Sequence, residues 1–239
     1  MSNSAWLITS RLYASLAFFQ LRQLHLIRSY LTMDSAKTLV HAFISVRLDY
    51  CNSLLVGAAD CIIQKLQAVQ NAAAQLINGT RKFDHITPIL RELHLLPVHL
   101  RIQYKIAMLD NKCLRGLAPP YLAELCQPVV ELVGRRHLRS AASGKLSVQR
   151  TATNIGRRNF AISGPDMWNS LPTDLRLSSL STATFARHLK THLFRSTECH
   201  YACSASEFFK AALFISDFID IDIDININII IIIFFLNPR

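Results

Sequence analysis

Apolar residues recur at helical spacing near the start of the chain. The pattern within residues 4–29 predicts an amphipathic helix, since positions three and four residues apart share one face. Its apolar positions are Leu12, Leu16 and Phe19. Thr32 or Asp34 is a suitable cap for a second helix. The apolar stripe predicted for that second helix consists of Leu39, Phe43, Val46 and Tyr50. Both helices therefore need a partner that covers their apolar face.

A third helix has the clearest pattern in the chain. Asp60 is its predicted N-cap, and Asn78-Gly79 provides the left-handed stop that commonly ends a helix. The stripe between them consists of Ile62, Leu66, Val69, Ala73 and Leu76. Glutamines lie largely outside this stripe, which indicates one buried face and one solvated face.

Prolines and a glycine delimit two further helices. Thr87-Pro88 opens a short one, and Pro97 begins a longer one that runs to Arg115 and is closed by Gly116. The fold class is therefore predicted to be mainly α. Residues 1–126 are expected to form a helical bundle as the first domain.

The pattern changes after Pro128, where glycines and Gly164-Pro165 separate short segments. The alternation in KLSVQR and RRNFAIS favours short strands or extended arms. Residues 178–181 offer caps for a final helix, which could fold back on the bundle. One face of that helix carries Phe185, Leu189 and Leu193. Residues 127–205 are predicted to be a basic second region that ends in this helix.

Residues 206–239 form a low-complexity tail of a different kind. IDIDIDININ is followed by isoleucines and FFL, as expected for a translated AT-rich simple repeat, so the tail is predicted to lie outside the fold. Only residues 229–236 are continuously apolar, whereas a membrane span needs about 20 such residues. We therefore expect no membrane partner, and the isoleucine run favours aggregation instead.

Charge is concentrated in the second half of the chain. The formal net charge is +10, and residues 135–195 contain 11 basic and two acidic residues. We name the candidate nucleic-acid-binding residues of this part the basic block: Arg135, Arg136, Arg139, Lys145, Arg150, Arg157 and Arg158. Such residues give sequence-independent affinity for phosphates, and Phe160, Trp168 and Phe185 could stack on bases. The alternative is a solvated cationic surface with Trp168 buried in the core.

The six cysteines are too scattered for a disulfide framework, which predicts reduced thiols and an intracellular protein of nucleus or cytoplasm that is not secreted. A weak candidate zinc site consists of His188, His192, Cys199 and Cys203, because residues four apart share a helix face. In the alternative interpretation, His188 and His192 are ordinary polar residues of the final helix.

The chain lacks the carboxylates that nucleotide polymerisation requires. Two magnesium ions must be held about 4 Å apart by acidic side chains, yet the sequence contains no adjacent pair of aspartates. Asp220, Asp222 and Asp224 alternate within the tail repeat, where a metal site is not expected. No nucleophile elbow or glycine-rich phosphate loop is present either. We therefore predict no enzyme activity and no cofactor for this chain alone.

Several sequence blocks between residues 18 and 194 occur in a specific order. They are FFQLRQL, IRSYLT, HAFISVRLDYCNSLL, LQAVQNAAAQLI, TRKFDHITPILRELHLLPV, RGLAPPYLAEL, GPDMWNSLP and FARHLKTHLF. Together they resemble the C-terminal part, the thumb and the region downstream of it, of the reverse transcriptase of LINE-type (non-LTR) retrotransposons of the CR1, L2 and jockey kind.

The resemblance implies a parent RNA-directed DNA polymerase that uses Mg²⁺ in a palm and often carries an endonuclease. The chain contains neither part, so it is interpreted as a truncated, thumb-like fragment. Its implied partners are the backbone of an RNA or DNA template-primer and the missing polymerase palm. Two alternatives remain open: a transposon relic with no selected activity, and an interaction protein with a zinc site or a membrane anchor at its C-terminus.

Overall fold

The computed structural model describes residues 3–50, 52–80, 84–131, 143–177 and 180–200, and the side chains of those between 14 and 196 except Leu177. All of them lie within one compact unit, Met1–Cys203. The described residues are mainly α-helical, as predicted. The helices are α1 (Asn3–Ile27), α2 (Met33–Val40), α3 (Val46–Asp49), α4 (Asp60–Asn78), α5 (Ile86–Glu92), α6 (Val98–Leu114), α7 (Pro120–Ala123), α8 (Phe160–Ser170), α9 (Thr173–Leu177) and α10 (Thr182–His200). None of the helices described is long and apolar enough to cross a membrane.

The first helices form one apolar cluster in which α4 packs against both α1 and α2. Thr32 caps α2 as predicted, because its side chain accepts a hydrogen bond from the backbone N–H of Ser35 at 3.2 Å. Arg28 follows α1 and donates to the carbonyl oxygens of Leu76 and Ile77, at 2.7 Å each. These carbonyls lie in the last turn of α4, where backbone carbonyls have no N–H donor within the helix. Arg28 therefore joins the end of α1 to the end of α4.

The stripe predicted for the second helix is wrong. A π-helical turn, His41–Ser45, separates α2 from α3, and the residues that face inward are Ala36, Val40 and Ile44. Because a π turn takes more residues than an α turn, it shifts every later side chain around the axis. The inward face is already set by Ala36 and Val40 before this turn, Leu39 is only partly buried, and Phe43, Val46 and Tyr50 are 42%, 51% and 63% exposed.

The predicted α4 is confirmed apart from its cap. Ala59 is the N-cap, and Asp60 is the first helical residue. Four residues of the predicted stripe are buried, and Leu76 is partly buried. Gly79 ends the helix in the left-handed conformation, with φ of +70°. An acidic residue in the first turn still interacts favourably with the helix dipole, which explains why Asp60 marks the correct boundary.

The two proline-initiated helices are also confirmed. Ile86–Glu92 contains the predicted Thr87-Pro88, and Pro97 is the N-cap of Val98–Leu114. Gly116 has a φ of +67°, in agreement with its predicted role as terminator. Helix α6 packs against α4, α8 and α10, which places it at the centre of the unit.

After Pro128 the prediction of short strands is wrong, whereas the alternative of an extended arm agrees with the described residues 145–150. One isolated antiparallel bridge joins Pro128 to Leu146, and the described residues contain no β-strand. The side chain of Asn169 bonds both the N–H and the carbonyl of Leu146, at 2.9 Å each, which holds this extended segment on α8. RRNFAIS is mostly helical, since Asn159 accepts a hydrogen bond from the N–H of Ala161 and caps α8.

The final helix and its cap are confirmed. Ser181 accepts a hydrogen bond from the N–H of Thr184 at 3.2 Å, and Phe185, Leu189 and Leu193 are buried. They belong to the largest apolar cluster, which joins α10 to α6 and α8. This cluster contains residues from both sides of the predicted boundary between 1–126 and 127–205. That boundary stays a prediction, and the tail at 206–239 lies outside the described residues.

Candidate nucleic-acid interface

The described part of the basic block is exposed at three positions. Lys145, Arg150 and Arg157 are exposed, whereas Arg158 is half-buried. Lys145 is held through its backbone, whose carbonyl accepts a hydrogen bond from the N–H of Val129 at 3.0 Å. Arg135, Arg136 and Arg139 lie outside the described residues.

Arg158 has a structural contact. Its Nε donates to the carbonyl oxygen of Val56 at 2.9 Å, across 102 residues of sequence. Gly57 makes room for this side chain, since a Cβ at that position would lie 3.1 Å from Cγ of Arg158. Gly57 also has a φ of +62°, which disfavours other residues. Arg158 therefore connects the region after α3 to the start of α8.

Two of the three aromatic rings predicted to stack on bases are buried, so that prediction is wrong for them. Trp168 is 2% exposed, and its Nε1 donates to the carbonyl oxygen of Gly144 at 2.9 Å. The ring centroid of Phe185 lies 5.7 Å from that of Trp168. Phe160 is partly buried against the same cluster. The alternative interpretation of Trp168 as a core residue is correct, since a buried indole usually needs an acceptor.

The candidate zinc residues are only partly described. His188 is exposed and His192 is half-buried, both on α10, whereas the side chain of Cys199 and the whole of Cys203 lie outside the described residues. Within the described residues, no three side chains of His, Cys, Asp or Glu are grouped to hold a metal ion. The four-residue site stays a prediction.

A second group of basic residues lies on α6 and α10, and we name it the cationic seam. Its members are Arg101, Lys105, Lys112 and Arg115 from α6 and its C-cap, and Lys190 from α10. At 3.6 residues per turn, the four α6 positions fall within about 80° of one another around the helix axis. They extend over about 21 Å along that axis.

The two helices of the cationic seam run antiparallel. At one end, the guanidinium of Arg115 donates to the carbonyl oxygen of Leu180, just before α10. At the other end, Arg101 lies close enough to Lys190 to affect its ionisation. Burial and the positive charge of Arg101 both lower the pKa of Lys190, whose Nζ lies 5.9 Å from the ring centroid of Phe194. The seam therefore combines side chains from two helices that share one core.

Few negative charges compensate the cationic seam. Arg101 forms an ion pair with Asp49 at 2.7 Å and donates from Nε to the carbonyl oxygen of Leu96 at 3.1 Å. Lys105 and Lys112 are exposed, and no described residue forms an ion pair with either. Like charges four residues apart destabilise a helix by about 0.2–0.5 kcal/mol, as for Arg101 and Lys105.

The only acidic residue of α6, Asp110, points into the core. Its side chain is fully buried, with Oδ1 accepting a hydrogen bond from Sγ of Cys126 at 3.4 Å. Oδ2 has no partner among the described residues. Burial raises the pKa of Asp110 to about 7, against a smaller opposite effect of the Cys126 hydrogen bond. Asp110 thus adds little negative charge to the outer face of α6.

The two thiols beside Asp110 are held in their neutral form. Burial raises the pKa of Cys113, and burial together with the charge of Asp110 raises the pKa of Cys126. Because the thiolate is the reactive form, this environment opposes nucleophilic chemistry at either sulfur.

The cationic seam was not identified from the sequence, although part of its signal was present. Arg101, Lys105, Lys112 and Arg115 follow steps of four, seven and three, a pattern that places them on one helix face. The charge balance of this half of the chain did not reveal the row, because the 13 basic residues of 1–134 are largely offset by eight acidic ones. The contribution of α10 depends on tertiary packing, which no local pattern reveals.

Comparisons with known proteins identify no relative. No protein-family model matches the chain, and no curated protein or solved structure is significantly similar to it. The resemblance to LINE-type reverse transcriptases therefore stays a prediction that depends on the sequence blocks alone.

Proposed function

We propose that the chain is a fragment of a LINE-type RNA-directed DNA polymerase that lacks the catalytic palm, and that it binds the backbone of RNA or DNA without sequence preference. The observation that carries this proposal is the exposure of Lys105, Lys112, Lys145, Arg150 and Arg157. Trp168 and Phe185 are buried, so the described surface favours phosphate contacts over base stacking at these rings. The implied second partner is the missing palm.

Binding of the full chain to a labelled 20-base-pair RNA–DNA hybrid tests this proposal. We expect a dissociation constant between nanomolar and micromolar at low salt. The logarithm of affinity should fall linearly with the logarithm of salt concentration, because phosphate contacts release counterions. Low-salt affinity no better than that of a neutral control protein would contradict the proposal. A primer-extension assay with Mg²⁺ and labelled nucleotides should show no incorporation.

The second candidate is a transposon relic with no selected activity, and the exposed apolar side chains favour it. Phe43 in the π-helical turn, Val46 in α3 and Tyr50 at the end of α3 are exposed. Contact of these apolar side chains with water is unfavourable. A relic is expected to self-associate and to melt without cooperativity. Sedimentation and thermal melting of the full chain distinguish the two, since a cooperatively melting monomer that binds the hybrid argues against a relic.

A further inference from the structure

We propose that the cationic seam, rather than the basic block, is the principal site at which this chain binds the phosphate backbone of a nucleic-acid duplex. This inference rests on the proposed function and assigns it to one surface. Its basis is the antiparallel pairing of α6 with α10, which places Lys105 and Lys112 beside the helix that carries Lys190.

Secondary structure distinguishes the two surfaces. Helices α6 and α10 pack on each other through the largest apolar cluster, in which Ala107 and Leu189 are completely buried. The backbone that carries the basic residues of α6 is thus fixed in place, so their Cα positions form a row that needs no rearrangement on binding. Lys145 and Arg150 instead lie on an extended segment outside the helices.

Each surface combines basic side chains that are already engaged with others that are exposed. In the basic block, Arg158 binds the carbonyl of Val56, and in the cationic seam Arg101 and Arg115 bind the carbonyls of Leu96 and Leu180. In the cationic seam, Lys105 and Lys112 form no ion pair with any described residue, and Asp49 is paired with Arg101 at one end. The acidic residue of α6, Asp110, is buried. A phosphate chain along the seam would therefore meet little electrostatic competition.

The dimensions favour a duplex backbone as the ligand. The row on α6 is about 21 Å long, which corresponds to several consecutive phosphates of one strand. The two aromatic residues of these helices that adjoin seam residues, Phe194 and Tyr104, are both partly buried against the apolar cluster. The seam therefore supplies charges in a line without an exposed ring on which unpaired bases could stack.

Two double variants of equal charge test the assignment. The seam variant is Lys105→Glu with Lys112→Glu, and the block variant is Lys145→Glu with Arg150→Glu. All four positions are exposed, so each change is matched in charge and in solvent access. Binding of the full-length proteins to the labelled hybrid is measured across salt concentrations, with a fluorescent single strand as a second probe.

We expect the seam variant to lose more than tenfold in affinity near 0.1 M salt and to reduce the salt slope by about 2, since about one counterion is released per phosphate contact. The block variant should lose at least threefold less. An equal or larger loss in the block variant overturns the assignment while leaving the proposed function intact. Absence of hybrid binding by the unaltered chain overturns both.

Two controls keep the result interpretable. Thermal melting of each variant establishes that the fold is retained, and Lys105→Gln with Lys112→Gln replaces the glutamate pair if that pair fails to fold. Vesicles of phosphatidylcholine with 30% phosphatidylserine test whether the cationic seam binds an anionic membrane surface instead of nucleic acid. Seam-dependent binding to these vesicles without binding to the hybrid would overturn the choice of nucleic acid as ligand.

Discussion

Asp110 combines complete burial with an incomplete set of hydrogen bonds. One carboxyl oxygen has the Cys126 thiol as a partner, and the other has none among the described residues. Gly164 lies directly against this carboxyl, because a Cβ at that position would be 2.6 Å from Oδ1. The fit between α6 and α8 therefore depends on the absence of a side chain at Gly164. Burial of an ionised carboxylate in such a place is costly, which is why its pKa is raised.

The raised pKa of Asp110 predicts that stability falls with increasing pH. The unfolded chain loses this proton near pH 3.8, whereas the folded chain keeps it to about pH 7. The contribution of Asp110 to stability is thus fully present below pH 3.8 and is lost as the pH rises through 7. The loss is on the order of 4 kcal/mol in the free energy of unfolding. Asp110→Asn should remove this slope, as measured by urea denaturation from pH 4 to 8.

The groups that face Asp110 are the thiols of Cys113 and Cys126, which stay neutral over that range because their pKa values are also raised. The matched control is Asp166→Asn, because Asp166 is exposed on α8. An identical pH slope in the Asp110→Asn variant and the unaltered chain would show that this carboxyl does not titrate as described.

At the scale of elements, the sequence predicted helices well wherever periodicity and end signals agreed. Thr32, Gly79 and Ser181 each define a boundary through backbone chemistry that depends on the residue itself. Prediction failed where tertiary packing decided the outcome. Gly164-Pro165 looked like a break, yet it lies inside α8, where both residues are buried. In the site, three of the described basic residues of the basic block are exposed, but the pairing of α6 with α10 could not be predicted.

The cap of α10 gives a prediction at this scale. Ser181→Ala removes the side chain that accepts a hydrogen bond from the N–H of Thr184. We expect a loss of about 1 kcal/mol in the free energy of unfolding, the usual cost of an N-cap. Thr191→Ala is the control and should cause no loss, since Thr191 is exposed inside the same helix, where alanine is the better helix former. Equal stabilities of the two variants in urea denaturation would indicate that Ser181 does not cap α10.

At the scale of the molecule, the described residues before and after position 126 share one core. Leu100 and Cys126 pack in the same cluster as Trp168 and Leu193. Polar contacts reinforce this connection, notably the hydrogen bond from Arg158 to the carbonyl of Val56. The basic residues of the second half therefore include at least one that holds the fold together.

Arg158 and Arg157 form a matched pair that separates a structural arginine from a solvent-exposed one. Arg158→Met leaves the carbonyl of Val56 without its guanidinium partner, and we expect a loss of about 1–3 kcal/mol in the free energy of unfolding. Arg157→Met should leave that free energy within about 0.5 kcal/mol of the original, because Arg157 is exposed. Thermal melting or urea denaturation of both variants provides the measurement. A larger loss at Arg157 would contradict the assignment of roles.

The contact of Arg115 with the carbonyl of Leu180 has a consequence for how the polypeptide tolerates a break. The contact brings the end of α6 close to the residue that precedes α10. Pieces on either side of a cut within 132–142 would each keep part of one shared interior. Such a nicked polypeptide is therefore expected to behave as a two-piece complex whose halves complement each other without a covalent link.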